Sequence, residues 1–140
     1  MGYKTSFSGS FKLNKQLSVE HLKKYRDFCN TRHENEWTAK VGSMYCQWIA
    51  NEDGTEIEAE GQIFYEFQKW IKFLIANFFT THGYSLTGIV KWQGEEIGDI
   101  GIIAIKDNEV KILFFDLFEK SDDKIFASMF PDPVTIENKK

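Results

Sequence analysis

The residues with the clearest potential for chemistry are three carboxylates in one glycine-containing segment. Glu95, Glu96 and Asp99 lie in the stretch GEEIGDIG, which runs from position 94 to 101. Three close carboxylates can bind a hard divalent cation through their oxygen atoms, as a metal-dependent hydrolase requires. A solvated acidic loop is the commoner origin of such a cluster, because charged side chains mostly stay at the surface. The segment leaves both interpretations open.

The histidines and cysteines form no recognisable catalytic or metal-binding motif. His21, His33 and His82 are not spaced as metal ligands, and we expect three unconnected surface side chains. Cys29 falls on the inner side of a predicted helix and Cys46 on the inner side of a predicted strand, where a free cysteine behaves as a small hydrophobe. We therefore predict a non-enzymatic protein with no metal site and no cofactor.

A row of acidic residues is the strongest candidate for a binding surface. Glu56, Glu58 and Glu60 recur at every second position, which puts them on one face of a strand with neighbours roughly 7 Å apart. Glu52 and Asp53 precede them in a predicted hairpin turn. Such a row repels itself and needs solvent or a basic partner. An alternative is that these charges protect an edge strand from aggregation.

The opposite charge is concentrated at the start of the chain. Residues 1–33 contain seven Lys and Arg against two acids, whereas the whole chain has a net charge of −4. These basic residues suggest a nucleic-acid-binding patch, with Tyr25 or Trp37 available for base stacking. A solvated helix face that balances the acidic middle is the alternative. The candidate phosphate contacts are Lys12, Lys15, Lys23, Lys24, Arg26 and Arg32.

The element that positions these surfaces is a helix predicted over Phe64–Gly83. Its large apolar residues recur at three- and four-residue steps and predict one buried face. Gly83 supplies the left-handed conformation that ends many helices. Six buried apolar side chains make this the main core element. The stripe consists of Phe67, Trp70, Ile71, Leu74, Ile75 and Phe78.

The remaining pattern predicts an α+β fold. We expect a single mostly antiparallel sheet in the order β-α-β-β-α-β-β, with both helices packed on one face and the other face exposed to solvent. Ser18 is the expected N-cap of the first helix, and Asp53-Gly54 and Asp107-Asn108 are expected hairpin turns. The predicted strands are residues 3–13, 44–50, 55–60, 84–93, 101–106 and 109–115, with a loop over 31–43 and a short helix over 125–130.

The totals are consistent with one soluble unit. A chain of 140 residues can bury a core without staples, and we expect a single domain over 1–130 followed by a flexible tail over 131–140. Two cysteines give no disulfide framework, and no apolar run is long enough for a bilayer. The expected setting is a reduced cytoplasm with no membrane contact.

A set of ordered positions resembles a family of small uncharacterised proteins of tailed phages and prophages. The most specific part is Trp92-Gln93-Gly94-Glu95, followed by Asp99, Gly101 and Asp107-Asn108. The opening segment has the family pattern MGYxTxFxGxF, and the similarity covers about residues 1–112. The segment after Arg32 is shorter than in the family, and residues 113–140 look added. Further matching positions are Cys46-Gln47-Trp48, Asp53-Gly54, Trp70, Leu74-Ile75, Phe78, Gly83-Tyr84, Leu86, Gly88, Val90, Ile103 and Val110.

This resemblance implies a setting and no known activity. The setting is a mobile-element protein in the cytoplasm of a bacterial host, where small acidic phage proteins often bind host machinery. Our first hypothesis is therefore an inhibitor of a host nucleic-acid-handling defence protein, such as a CRISPR-Cas effector or a restriction nuclease, that occupies its basic surface. The partner is then a host protein or ribonucleoprotein. The predicted contacts are Glu52, Asp53, Glu56, Glu58, Glu60, Glu95, Glu96 and Asp99, with Trp48 and Trp92 as anchors. The alternatives are an RNA- or DNA-binding module and a metal-dependent hydrolase.

Overall fold

A computed structural model describes residues 2–33, 45–114 and 130, and it confirms the α+β class. Six strands form one sheet in the order β2-β3-β1-β4-β5-β6, and every neighbouring pair is antiparallel. All six strands predicted by residue range are present, although the predicted order β-α-β-β-α-β-β counts only two of the three strands that follow the second helix. The strands are β1 (Thr5–Leu13), β2 (Trp48–Ala50), β3 (Glu56–Ala59), β4 (Leu86–Gly94), β5 (Ile100–Lys106) and β6 (Glu109–Phe114).

Two helices cover one face of this sheet. Helix α1 spans Val19–Cys29, and its N-cap Ser18 accepts a hydrogen bond from the His21 backbone N–H, as predicted. Helix α2 spans Phe67–Leu74 and starts three residues later than predicted, because Glu66 has a positive φ of 56°. Both helices contribute side chains to one continuous core, in which Phe11, Tyr25, Trp48, Ile57, Trp70 and Ile103 are fully buried.

The end of α2 departs from the predicted regular helix. Residues Ile75–Phe79 form a π-helical turn, in which the Thr80 N–H donates to the Ile75 carbonyl five residues earlier. The wider turn buries Phe79 completely and leaves Phe78 half-buried. The predicted stripe is therefore right up to Ile75 and shifted by one position after it. The left-handed Gly83 follows, with φ of 80°.

The sheet face opposite α1 and α2 carries no helix among the described residues, and we call it the helix-free face. It differs between its two halves. Across β1 and β3 it is polar, whereas across β4 and β5 it carries Ile89, Ile102 and Ala104, all buried together with Phe130. The Lys111 Nζ lies 5.1 Å from the Phe130 ring centroid. The expectation of one wholly solvated face is therefore wrong over β4 and β5, where Phe130 covers the sheet.

Helix α1 packs against the outer edge of β2, which is the first strand in the sheet order. The Tyr25 hydroxyl donates to the Trp48 carbonyl over 2.5 Å, and the Arg26 guanidinium donates to the carbonyls of Asn51 and Glu52. These bonds occupy backbone acceptors that would otherwise be available to another chain. Four predicted features lie outside the described residues. They are Trp37, the part of the 31–43 loop beyond position 33, the helix over 125–130 except Phe130, and the tail over 131–140.

Candidate functional site

The acidic hairpin, residues 51–60, has a turn that is ordered by its own side chains. The Asn51 Oδ1 accepts hydrogen bonds from the backbone N–H groups of Thr55 and Glu56, at 2.9 and 3.0 Å. The Asp53 Oδ1 accepts one from the Thr55 hydroxyl at 2.6 Å. Asn and Asp side chains that bond the backbone in this way stabilise turns. The carboxylates near the turn therefore project from a fixed backbone.

Side chains of α1 and of the loop before it donate hydrogen bonds to the backbone of the acidic hairpin. The Arg26 guanidinium donates to the Asn51 carbonyl at 3.1 Å and to the Glu52 carbonyl at 3.2 Å. The Gln16 side-chain N–H donates to the Asp53 carbonyl at 2.6 Å. Arg26, which the sequence suggested as a phosphate contact, is thus engaged with the hairpin backbone.

The carboxylates of the hairpin project away from the core. Ile57 is fully buried under the helices, so its strand neighbours Glu56 and Glu58 lie on the helix-free face. Glu58 and Glu60 are exposed, as are Glu52 and Asp53 in the turn. Glu56 is half-buried and accepts a hydrogen bond from the Ser10 hydroxyl of β1. Glu60 lies one residue beyond the end of β3.

None of these carboxylates forms an ion pair within the described part of the chain. The ion pairs formed within residues 2–33, 45–114 and 130 are Glu66–Lys69 at 2.7 Å and Glu109–Lys111 at 3.8 Å, and neither includes a hairpin acid. Lys12 lies opposite Glu56 in the strand register but forms no ion pair with it. The acidic row therefore keeps its negative charge facing solvent.

The prediction that Trp48 and Trp92 anchor a partner is wrong. Trp48 is fully buried and its indole N–H donates to the Phe67 carbonyl at 2.9 Å. Trp92 is 2% exposed and its indole N–H donates to the Asp99 carboxylate at 3.0 Å. Both rings pack against Phe67 or Phe64 in the core, because large aromatic side chains in phase with strand alternation point inward. Neither ring is accessible to a partner.

The carboxylates of the glycine loop are not assembled as cation ligands. Asp99 accepts from the Tyr3 hydroxyl at 2.5 Å as well as from Trp92, while Glu95 and Glu96 are exposed. The Tyr3 oxygen in turn accepts from the Glu96 backbone N–H at 3.0 Å. Within the described ranges, no group of three or more His, Cys, Asp or Glu side chains is arranged to hold a metal ion. The geometry gives no support to the hydrolase hypothesis.

The glycines of this loop make room for the same contacts. A Cβ on Gly94 would lie 2.0 Å from an Asp99 carboxylate oxygen, and a Cβ on Gly101 would lie 2.2 Å from two carbon atoms of the Trp92 ring. Together Tyr3, Trp92, Gly94, Asp99 and Gly101 form what we call the Asp99 clasp. Packing around Trp92 and Asp99 thus explains four positions of the most specific sequence motif, namely Trp92, Gly94, Asp99 and Gly101.

The Asp99 clasp predicts an alkaline pH dependence of stability. The hydrogen bond to the Asp99 carboxylate raises the pKa of Tyr3 above its ordinary value near 10. A group whose pKa is raised by folding contributes stability below its unfolded pKa and loses it as pH rises through the folded pKa. As the pH rises above about 10, wild type should lose stability more steeply than Tyr3→Phe in urea titrations. Equal slopes for the two proteins would contradict this assignment.

The Lys and Arg side chains within positions 1–33 do not form one patch. Lys12 lies on the sheet opposite Glu56, and the Lys15 Nζ lies 5.1 Å from the Tyr84 ring centroid. Lys23 and Lys24 are exposed on α1, and Arg32 is exposed beyond its end. Tyr25, the proposed stacking residue, is fully buried and unavailable to a base.

The histidines show one association that sequence spacing does not reveal. The ring centroids of His21 and His82 are 4.3 Å apart, and the His21 Nδ1 lies 2.8 Å from the Tyr84 hydroxyl. His33 instead stacks on Phe28. The expectation of three unconnected histidines is wrong for this pair, which the docking of α1 against the end of α2 brings together.

Two shallow grooves lie on the described part of the protein, and one of them reaches the acidic hairpin at Glu60. One of about 170 Å³ separates the end of α1 from β2, and its lining includes Arg26, Cys29, Ile49 and Glu60. The other, of about 220 Å³, lies between β1 and β4 and is lined by Ser6, Phe7, Ser8, Lys91, Trp92 and Gln93. Both are small beside the pockets that enclose most small-molecule ligands.

The chain matches no protein-family model, no curated protein and no solved structure at a significant level. In the part of the chain that the structure describes, no helix is long and apolar enough to cross a membrane.

Proposed function

We propose that this protein is a non-catalytic binding protein whose acidic hairpin occupies a basic surface of a nucleic-acid-handling protein. In the setting that its sequence resemblance implies, the partner is a host defence protein or ribonucleoprotein in a bacterial cytoplasm. The hairpin would then compete with nucleic acid for that surface.

The observation that carries this proposal is a row of acidic residues without ion pairs on a hairpin whose backbone is held by hydrogen bonds. Glu58 and Glu60 are both exposed, and neither forms an ion pair with a described cation. Their spacing of roughly 7 Å is similar to that of phosphates along a nucleic-acid strand. A basic partner would relieve their mutual repulsion, so binding would be favoured by the charge that weakens the isolated protein.

The anchoring of the hairpin supports the same proposal. Arg26 and Gln16 bond its backbone carbonyls, so little conformational entropy is lost when the hairpin binds. Electrostatic complementarity of this kind accelerates association and makes it dependent on salt. The complex should therefore weaken as ionic strength rises.

Charge reversal on the hairpin should abolish most of this binding. We expect Glu58→Lys/Glu60→Lys to lower the affinity for the captured partner at least about tenfold, which corresponds to about 1.4 kcal/mol. The experiment is a pull-down from nuclease-treated bacterial lysate, followed by affinity measurements on the identified partner at two salt concentrations. Both substituted residues are exposed, so the fold should be retained.

The matched control is Glu20→Lys/Asp27→Lys, which makes the same charge change at two exposed positions of α1 that are not among the predicted contacts. An equal loss of affinity for both double variants would show that binding follows net charge, and it would contradict the hairpin assignment. A gel shift with free RNA or DNA that is lost in Lys23→Glu/Lys24→Glu would instead favour the nucleic-acid-binding alternative. Capture of no nucleic-acid-handling protein at low salt would also count against the proposal.

A further inference from the structure

The two cysteines meet at one backbone oxygen atom. The Cys29 thiol, in the last turn of α1, donates to the Trp48 carbonyl at 3.3 Å. The Cys46 thiol, two residues before that carbonyl, lies 3.9 Å from the same oxygen. The Tyr25 hydroxyl donates to it as well, at 2.5 Å. Two sulfur atoms from distant parts of the sequence are thus held around a single acceptor.

The local environment keeps the Cys46 thiol and the Tyr25 hydroxyl protonated. Burial raises the pKa of the Cys46 thiol, and the neighbouring Cys29 thiol, within hydrogen-bonding reach, raises it further. Burial likewise raises the pKa of Tyr25 well above its ordinary value. A neutral thiol is a weak nucleophile, so Cys46 is not suited to react first with an oxidant.

Cys29 is the thiol with an approach from solvent. It is 8% exposed, against 2% for Cys46, and it lines the groove of about 170 Å³ between α1 and β2. A small oxidant such as hydrogen peroxide fits this groove, because its size is close to that of water. The two cysteines therefore differ in access while remaining adjacent to each other.

We propose that Cys29 and Cys46 form an intramolecular disulfide when the protein meets a peroxide. The Cys29 thiol loses its proton to solvent and its sulfur attacks one peroxide oxygen. The O–O bond breaks, a sulfenic acid forms, and the released hydroxide takes up the proton as the first water. The Cys46 sulfur then attacks the Cys29 sulfur and the S–O bond breaks. The Cys46 proton leaves with the hydroxyl group as water, so two thiols and one peroxide yield one disulfide and two waters.

The cross-link would join the end of α1 to the segment that enters β2. Tyr25 already bonds β2 at this edge and Arg26 bonds the acidic hairpin that follows β2, so the disulfide would add a covalent link between α1 and the strand that leads into the hairpin. This inference does not depend on the proposed partner, because its test measures the thiols of the isolated protein.

The test is a thiol count on the full chain after exposure to hydrogen peroxide. Oxidised protein is unfolded in urea with N-ethylmaleimide and weighed intact by mass spectrometry. We expect a monomer that has lost two hydrogen atoms and takes up no maleimide, with Cys29 and Cys46 in one linked peptide after digestion. Reduced protein should take up two maleimides.

One variant separates the reaction of Cys29 with peroxide from the later attack by Cys46, and a control tests whether the order of these steps depends on the fold. Cys46→Ser should stop at the first step, so that dimedone labels Cys29 after peroxide treatment. Cys29→Ser should keep its Cys46 thiol free after the same peroxide treatment and lose it when treated in urea, because the fold shields the Cys46 sulfur, which belongs to a residue that is 2% exposed. The proposal is overturned if native oxidised protein still binds two maleimides, or if its disulfides link separate chains. The thiol count on wild type decides the matter even where Cys46→Ser does not fold.

Discussion

Gly101→Ala is expected to lower the free energy of unfolding by about 3 kcal/mol, at the upper end of overpacking penalties. The new methyl group would lie 2.2 Å from two carbon atoms of the Trp92 ring, which is far inside van der Waals contact. Trp92 cannot move aside cheaply, because its ring is buried and its indole N–H is bonded to Asp99. Urea denaturation followed by far-UV circular dichroism measures the loss without depending on Trp92 as a probe.

Gly98→Ala is the matched control for this substitution. Gly98 lies in the same loop, and a Cβ there meets nothing within 4 Å, although its φ of 93° makes any side chain somewhat strained. Its expected cost is about 1 kcal/mol, from backbone strain alone. If Gly101→Ala costs no more than Gly98→Ala, then the packing explanation of the Asp99 clasp is wrong.

Phe130→Ala is the second substitution with a large expected effect, a loss of about 3 kcal/mol. Phe130 is 7% exposed and buries Ile102 and Ala104 on the face of the sheet that the helices leave free. Removal of its ring would expose this apolar patch and forfeit the contact with the Lys111 ammonium group. The free energy of unfolding from urea titration is the quantity to measure.

Two further variants make this prediction specific. Phe130→Leu keeps most of the apolar volume and should cost less than about 1.5 kcal/mol. Ile63→Ala removes an apolar side chain that is 40% exposed and should change stability by less than about 0.5 kcal/mol. A Phe130→Ala value as small as that of Ile63→Ala would show that the sheet face does not depend on Phe130.

The parts of the fold that follow from local pattern were predictable. The apolar stripe from Phe67 to Ile75 lies on the buried side of α2, and Asp107-Asn108 forms a two-residue turn with positive φ at both positions. Glu56 and Glu58 lie on the face opposite the buried Ile57, as the period of two requires. Each of these features depends on neighbours within a few residues.

The parts that depend on contacts between distant segments were not predictable. Nothing near Trp48 in the sequence shows that Phe67 will accept its indole N–H. The roles of Tyr3 and Asp99 depend on the nine-residue pairing of β1 with β4, which brings the start of the chain to the glycine loop. The π-helical turn after Leu74 also has no distinct signature, because its apolar spacing is compatible with an ordinary α-helix.

Phe130 also limits the footprint that a partner can have on the helix-free face. With Ile89, Ile102 and Ala104 covered, the open part of that face is formed mainly by β2, β3 and β1. Three neighbouring strands span only about 10 Å from the first axis to the third. A partner that contacts the acidic hairpin from this side therefore meets a narrow strip running along the strands, which suits a ridge or an extended segment better than a broad flat surface.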